Sequence, residues 1–299
     1  MAGKTHLDTS LQSIFLTLQQ FWADQGCVIL QPYDKEMGAA TFHPATSLYT
    51  LGPRHLKAAF VQPCRRPQDG RYGDNPNRFQ KFFQFQVILK PAPHHIQDIL
   101  LDSFTALGLD IRNHDIRFVE DDWAGPTLGA TGVGWEVWFD GMEVVQFTYF
   151  QQMGAMACEV ISAELAYGLE RIALCVQRKD CAFDLQWNPP GQDSSYSYKD
   201  LCLQEEREFS QYYFEEADVP GVMHQFEQAL RAGHALLKKD LVLPAYEYCM
   251  GSSHLFNILN ARGCVSGAER VRFIQKIRAL AAACCHAFLE KEKKEAPHA

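Results

Sequence analysis

The chain has 299 residues, of which 47% are hydrophobic and 21% charged, a balance typical of a globular protein with a substantial core. Its formal net charge of −8 argues against a protein that grips a long stretch of nucleic acid unaided. The sequence contains no apolar run of about 18 residues, so no membrane-spanning helix is expected. The ten cysteines lack CxxC spacing and residues 1–6 lack an apolar signal segment, so we expect a cytoplasmic protein without structural disulfides or zinc.

The first predicted element is an amphipathic helix. Apolar residues between Leu11 and Trp22 follow i, i+3, i+4, i+7 spacing, and Gly26 marks its end. A second helix is predicted over 163–176, beginning near Glu164. Strands are predicted over 27–30, 57–61, 82–90 and 116–120. A further helix is predicted over 96–107.

The character of the chain changes after about Lys179. Residues 188–195, rich in Pro, Gly and Ser, predict a linker. A capping box of Ser266 and Glu269 opens the last predicted helix. We therefore predict an α+β body over residues 1–180 and an all-helical domain over 181–299, with helices at roughly 201–217, 221–239, 244–261 and 267–292.

Residues 135–150 form a strand-like ribbon that carries two carboxylates, Glu136 and Glu143, seven residues apart. Asp140-Gly141 between them is a hairpin-turn signal, so the two acids are expected to be near neighbours on adjacent strands. Paired carboxylates raise each other's pKa and destabilise the fold, a cost that a divalent cation relieves. The pair predicts a magnesium–phosphate platform.

Residues 65–78 contain four arginines, two prolines and two glycines, which predicts a long hairpin loop. A solvated, charge-rich loop is one interpretation. The exclusive use of arginine favours phosphate binding instead, because its planar guanidinium makes bidentate contacts. Arg78 stands four residues before Phe82, which places a cation beside an aromatic ring, as a nucleotide's phosphates and base require.

Together these segments resemble the signature motifs of class II aminoacyl-tRNA synthetases. Motif 2, a strand–loop–strand with an early arginine and a later Arg-x-x-x-Phe, is similar to Arg65 or Arg66 with Arg78 and Phe82. Motif 3, a Gly-Leu-acid-Arg entry to a helix, is similar to residues 168–171. Taken alone, that arginine could simply pair with its acidic neighbour. Residues 11–32 resemble motif 1, and the family's two acids and later hydroxyl residue are matched by Glu136, Glu143 and Thr148.

Further short segments resemble the α-subunit family of the bacterial tetrameric glycyl-tRNA synthetase, at 61–63, 70–73, 114–121 and 146–152. The resemblance runs over roughly residues 8–290. One departure is visible, since Thr131 stands where that family commonly carries a tryptophan.

The resemblance implies a class II antiparallel sheet flanked by helices, and a two-step reaction that uses ATP and Mg²⁺. Glycine's carboxylate would attack the α-phosphate of ATP to give glycyl-adenylate, and the glycyl group would then pass to the 3′ end of tRNA(Gly). The family further implies that a homodimer of this chain joins a larger β subunit in a heterotetramer.

The resemblance also assigns candidate residues to each part of the site. Catalysis is assigned to Arg65 or Arg66, Arg171 and Glu143. ATP is assigned to Arg65 or Arg66, Arg78, Phe82, Gly168 and Arg171, with Mg²⁺ on Glu136 and Glu143. Glycine is assigned to Gln84, Gln86 and Thr148, walled by Trp123 or Trp135. The tRNA acceptor end is assigned to Arg71, Tyr72, Asn75 and Asn77.

Two other functions fit the same sequence. A class II-like paralogue could form free adenylates or amides, or regulate another subunit, without acting on tRNA. A non-catalytic assembly module could use the aromatic-rich sheet only as an interface. The intact motif arginines favour an activating enzyme, and the retained loop tip at 70–77 favours tRNA.

Overall fold

The computed structural model describes residues 8–189, 191 and 194–295. The segment 1–6 and parts of the predicted linker at 188–195 lie outside these described residues. Helices are α1 Leu11–Asp24, α2 Pro44–Ser47, α3 Ile96–Ala106, α4 Leu169–Gln177, α5 Tyr198–Gln211, α6 Val219–Leu237, α7 Val242–Ala261 and α8 Gly267–Glu295. Strands are β1 Val28–Ile29, β2 Leu56–Arg65, β3 Lys81–Lys90, β4 Ile116–Asp121, β5 Ala124–Gly125, β6 Ala130–Phe139, β7 Met142–Met153, β8 Met156–Ala157 and β9 Ala163–Gly168.

A single mixed sheet organises the described residues. Its strand order is β1-β2-β3-β9-β7-β6-β4, with β5 paired to β6 and β8 to β7. The pairing of β1 with β2 is parallel, and the other pairs are antiparallel. The predicted α+β fold with an antiparallel sheet is thus confirmed.

The two faces of the sheet differ in chemistry. Side chains such as Phe85, Phe147 and Leu165 point to one face, where they form a buried core with Trp22 of α1 and Phe104 of α3. Because side chains alternate along a strand, the neighbouring residues of β3, β7 and β9 point to the opposite face. That second face carries the polar residues of the site.

The stretch 163–176 was predicted as one helix, and this prediction is wrong for its first half. Residues Ala163–Gly168 form the central strand β9, paired on both sides, and only then does α4 begin. The composition of this stretch favours helix, but pairing with β3 and β7 and burial override that weak preference. Strand geometry sends Leu165 and Tyr167 into the core and Glu164 to the polar face.

The predicted hairpin at Asp140-Gly141 is confirmed, with positive φ values of 49° and 84°. A bulge between Val137 and the next residue shifts the register, so that Glu143 lies opposite Trp138 and Glu136 lies opposite Gln146. The two glutamates are therefore on adjacent strands but are not directly paired.

The four predicted C-terminal helices are confirmed, with a short π-helical turn, Tyr212–Glu216, extending α5. The capping box is present: the Ser266 amide donates to the Glu269 carboxylate at 2.9 Å, and the Glu269 amide donates to the Ser266 hydroxyl at 3.3 Å. Within the described residues no helix is long and apolar enough to cross a bilayer.

The segment after α4 packs with the sheet. Phe183, Leu185 and Tyr198 belong to the same buried core as α1 and β3. Helices α6 to α8 form a second core with the far end of the sheet, which includes Phe150 and Tyr246. The domain boundary at residue 180 stays a prediction, and this packing extends the α+β body to the start of α5.

Candidate active site

A cavity of about 300 Å³ opens on the polar face of the sheet. Strands β3, β7 and β9 form its floor, and the loop 66–80 and the segment 38–43 form its sides. Nine of the predicted site residues line it: Arg66, Asn77, Arg78, Phe82, Gln84, Trp123, Glu143, Gly168 and Arg171. The carboxylates of Asp69, Glu164 and Glu170, which the sequence did not single out as site residues, line it as well.

The structure separates the two adjacent motif 2 candidates. Arg65 is the last residue of β2 and points away from the cavity, where it pairs with Glu205 at 3.0 Å and its guanidinium lies 4.3 Å from the ring centre of Phe209. Arg66 lies beyond the strand end and lines the cavity. Its Nε donates to the Gly38 carbonyl at 2.8 Å. Because Arg66 lines the cavity and Arg65 does not, Arg66 is the arginine that can contact a ligand there.

The aromatic ring of Phe82 lies beside Arg66, whose guanidinium is 4.8 Å from the ring centre. Arg78 stands on the loop across the cavity, with a side chain that is 59% exposed and only a loose contact of 3.9 Å to Asp69. The cavity thus offers a flat apolar surface with two guanidinium groups around it.

Arg171 supplies the third guanidinium. Its Nη1 donates to the Glu143 carboxylate at 3.0 Å and to the Glu143 carbonyl at 2.9 Å. The simpler interpretation, in which Arg171 pairs with Glu170, is wrong. Glu170 points inward instead, where it accepts from the Phe83 amide at 2.9 Å and from the Tyr198 hydroxyl at 3.0 Å. Burial raises the pKa of Glu170 to about 7, against the hydrogen bonds that it accepts.

Glu136 does not line the cavity. Its carboxylate accepts from the indole of Trp138 at 3.0 Å. No group of three or more His, Cys, Asp or Glu side chains suited to a metal occurs among the described residues. The donors nevertheless fit magnesium, which is commonly held by one or two carboxylates together with substrate phosphates. Glu143 is such a carboxylate.

A buried carboxylate, Glu164, lies at the floor of the cavity and is only 1% exposed. It accepts hydrogen bonds from the Thr41 hydroxyl at 2.6 Å and from the Gln86 amide. Burial raises the pKa of Glu164 to about 7, and these hydrogen bonds oppose that rise. The signal that could have found Glu164 is the two-residue alternation of Glu164, Ala166 and Gly168, which helix-favouring residues obscured.

Two predicted glycine ligands lie around this carboxylate. Thr148 is the cross-strand partner of Glu164, and its buried hydroxyl has no hydrogen-bond partner in the described part of the chain. The carbonyl oxygen of the Gln86 side chain is buried without a partner in the same way. Gln84 has a different role, because its carbonyl oxygen accepts from the Ala40 amide at 2.9 Å and thereby holds the segment 38–43.

The two candidate tryptophan walls lie on opposite faces of the sheet. Trp123 lines the cavity and contacts Phe150 at 5.5 Å between ring centres. Trp135 packs against Phe147 at 5.1 Å on the apolar face. The prediction that Trp135 could wall the pocket is therefore wrong, because residues of odd number in this part of β6 point away from the cavity.

The predicted acceptor-end residues separate in the same way. Arg71 bonds back to its own loop, to the Gln68 carbonyl at 2.9 Å, and the Tyr72 hydroxyl donates to Glu215 at 2.6 Å. Asn75 accepts from the Asn77 amide at 2.9 Å. Only Asn77 of the four lines the cavity.

An antiparallel sheet with one arginine after β2, one before β3 and one at the entry to α4, all at the same cavity, defines a class II aminoacyl-tRNA synthetase catalytic domain. Residues 11–293 match the model of the family described as glycyl-tRNA synthetase alpha subunit. The chain belongs to that family, which confirms the resemblance and makes it a glycine–tRNA ligase that acts in tRNA aminoacylation.

Two solved structures of pyrrolysyl-tRNA synthetase from Desulfitobacterium hafniense are similar to parts of the chain. One aligns with a TM-score of 0.42 and 12% identity over 61% of this chain and 74% of its own. The other aligns with a TM-score of 0.43 and 13% identity over 65% of this chain and 77% of its own.

Proposed function

We propose that this chain activates glycine with ATP to form glycyl-adenylate and, together with a β subunit, transfers glycine to the 3′ end of tRNA(Gly). The observation that carries the proposal is the convergence of three arginines and the buried carboxylate of Glu164 on a single cavity. The arginines suit a triphosphate, and the carboxylate suits an ammonium group.

The phosphate side of the site is formed by the guanidinium groups. Arg66 would bridge the α-phosphate and the carboxylate of glycine, and adenine would stack on Phe82, whose ring lies beside the Arg66 guanidinium. Arg78 and Arg171 would hold the β- and γ-phosphates, because both line the cavity and the Arg78 guanidinium lies 3.9 Å from the Asp69 carboxylate, which leaves it available to a ligand. Glu143 would hold magnesium, and the charge of the metal would offset that of the phosphates. Glu136 is a second candidate ligand.

The glycine side of the site is formed by strand residues. The ammonium group of glycine would pair with the Glu164 carboxylate, and the unpartnered oxygens of Thr148 and Gln86 offer further acceptors. Specificity for glycine requires that a larger side chain clash, since a pocket cannot gain much from a missing methyl group. Trp123, a bulky residue that lines the cavity, would cause that clash.

The first step needs no general base. Glycine's carboxylate is already a nucleophile, so the rate depends on alignment with the α-phosphate and on stabilising the charge that develops there. Arg66 would stabilise that charge, and Arg171 would stabilise the charge of the departing pyrophosphate. In the second step a ribose hydroxyl at the end of the tRNA would attack the glycyl carbonyl of the adenylate near the loop 66–80, so that the new ester bond forms as AMP and the hydroxyl proton leave.

The proposal includes a homodimer and a larger partner subunit. Leu16 of α1 and Val28 of β1 are large apolar residues that are 58% and 60% exposed. They lie on the motif 1-like helix and on the edge strand of the sheet, where an apolar surface favours a second copy of the chain. A chain of net charge −8 also needs help to hold a tRNA body.

Glycine-dependent exchange of pyrophosphate with ATP tests the first step. The purified chain should catalyse this exchange with glycine and magnesium, and neither alanine nor serine should replace glycine. If the chain catalyses this exchange but transfers no glycine to tRNA even with the partner subunit present, it would be an adenylate-forming paralogue. No exchange under any of these conditions would indicate an assembly module.

A further inference from the structure

The loop 66–80, which carries the ATP-side residues, is anchored at two points on helix α5. One carboxylate makes both anchors. Glu206 Oε1 accepts from the Arg71 amide at 2.7 Å, and Glu206 Oε2 accepts from the Gln80 amide at 2.7 Å. The two amides stand on either side of the loop, so a single side chain closes it.

The loop fits closely against the helix between these anchors. The Tyr72 amide donates to the Ser210 hydroxyl at 3.1 Å, and that hydroxyl donates to Glu206 at 3.2 Å. A Cβ on Gly70 would come within 2.8 Å of the Ser210 hydroxyl, and a Cβ on Gly73 within 2.3 Å of Leu203. The loop therefore packs closely against α5, and glycine at these two positions permits the close approach.

The residues between the two anchored amides include Asn77, Arg78 and Phe79, all of which line the cavity. Arg78 has a mostly exposed side chain and a loose ion pair, so its own contacts do not place it. Its place depends on the backbone that carries it. Close to these residues the loop is also held by the body of the protein, because the Ala182 amide donates to the Pro76 carbonyl at 2.9 Å.

Glu206 is an unusual residue to bury. It is 3% exposed and makes no ion pair with the described residues, whereas its neighbour Glu205 pairs with Arg65 and Lys81. Burial raises the pKa of Glu206, against the hydrogen bonds from the two amides and Ser210. A buried carboxylate without a cation is costly for stability alone, which favours a role in holding the loop.

We infer that Glu206 is a positioning residue for ATP: it ties the two arms of the loop to α5 and so holds Arg78 at the phosphate side of the cavity. This inference rests on the proposed activation of glycine by ATP. It makes the first helix of the C-terminal region part of the nucleotide site, although no atom of Glu206 needs to touch the substrate.

The test compares Glu206→Gln with the wild-type chain in glycine-dependent pyrophosphate exchange. Glutamine keeps the size of the side chain but presents an NH₂ group to one of the two amides, so one anchor is lost. We expect kcat/KM for ATP to fall by roughly tenfold to a hundredfold through a raised KM, with KM for glycine unchanged. Isothermal titration with a non-hydrolysable ATP analogue should show the same loss of affinity.

Two further variants keep the test decisive. Ser210→Ala removes one anchor contact without removing the charge, and should raise KM for ATP in the same direction by a smaller factor. Glu208→Gln is the matched control: it lies on the same helix, its carboxylate accepts a hydrogen bond from the Gln204 side chain, and the variant should keep wild-type constants.

A purely structural role would lower the melting temperature of Glu206→Gln while leaving both KM values at the wild-type level, and that result would overturn the inference. An equal rise in both KM values would do the same. Failure of the wild-type chain to catalyse exchange at all would instead refute the proposed function, so the two failures are distinguishable.

Discussion

Arg171 and Glu143 form the ion pair at the phosphate side of the cavity, with 3.0 Å between Nη1 and Oε2. Arg171 comes from the helix α4 and Glu143 from the strand β7, so the pair joins two elements at the cavity wall. Each group compensates the charge of the other before a ligand arrives. A triphosphate with magnesium can then exchange this contact for its own, phosphate on the arginine and magnesium on the carboxylate.

Glu143→Gln tests that exchange. We expect pyrophosphate exchange to fall by about two orders of magnitude or more, because the variant loses a magnesium ligand and leaves Arg171 without its anion. Glu136→Gln should cost less, since that carboxylate bonds Trp138 outside the cavity. The magnesium concentration for half-maximal exchange should rise more in Glu143→Gln than in Glu136→Gln. Near-normal exchange in Glu143→Gln would refute the assignment.

Arg66 and Arg65 should differ sharply when each is replaced by alanine. Arg66→Ala should reduce kcat for exchange by roughly a hundredfold or more, and Arg66→Lys should recover little because lysine lacks the planar fork. Arg65→Ala should keep kcat and lower the free energy of unfolding by about 1 kcal/mol, since it loses Glu205 and the ring of Phe209. Urea unfolding and exchange kinetics on both variants decide this, and a larger kcat loss for Arg65→Ala would contradict the assignment.

Glu164 should make glycine use depend on pH. Its pKa is about 7 in the folded chain, and the ammonium group of glycine needs the ionised form. We therefore expect kcat/KM for glycine to fall as pH decreases below about 7. Glu164→Gln should abolish this dependence together with most of the activity. A profile that is flat between about pH 6 and 8, one unit either side of that pKa, would contradict the role in the wild-type chain.

The same carboxylate should affect stability in the opposite sense. Because the folded-state pKa is raised above the ordinary value, the stability contributed by the protonated form is complete below about pH 4.5 and is lost as pH rises through about 7. Glu164→Gln should then be more stable than the wild-type chain at alkaline pH, by on the order of 2 kcal/mol. Glu170 has a similar pKa, so the free energy of unfolding of the variant should still depend partly on pH. Urea unfolding at several pH values measures both effects.

The loop tip and the loop base should act at different steps. Arg71 lies outside the cavity and Asn77 lines it. Arg71→Ala should slow transfer of glycine to tRNA more than it slows adenylate formation, whereas Asn77→Ala should slow adenylate formation. Single-turnover measurements of the two steps separate the variants. Equal losses in both steps for Arg71→Ala would show that the tip acts on ATP as well.

The isolated chain should be a dimer by light scattering and should charge tRNA poorly until the β subunit is added. Leu16→Glu places a charge on the exposed apolar face of α1 and should shift the chain toward monomer. Gln20→Glu, on the same helix, is a matched control with no apolar surface to lose. A wild-type monomer that charges tRNA efficiently alone would contradict both the dimer and the partner.

Much of this protein follows from its sequence. The Asp140-Gly141 turn, the capping box at Ser266 and the periodic helix from Leu11 depend on local backbone preferences, and the structure has each of them. The motif arginines were assigned through their resemblance to the family's motifs, each of which is a short stretch of the chain. These features involve residues close together in the chain.

Other features depended on the register of distant strands. Whether Arg65 or Arg66 reaches the cavity is decided by where β2 ends, and whether Trp123 or Trp135 walls it is decided by the face that β6 presents. Glu164 was hidden because its helix-favouring neighbours form a strand only between two partners. Side chains alternate every residue along a strand, so a one-residue uncertainty in register reverses every assignment, and only tertiary packing removes that uncertainty.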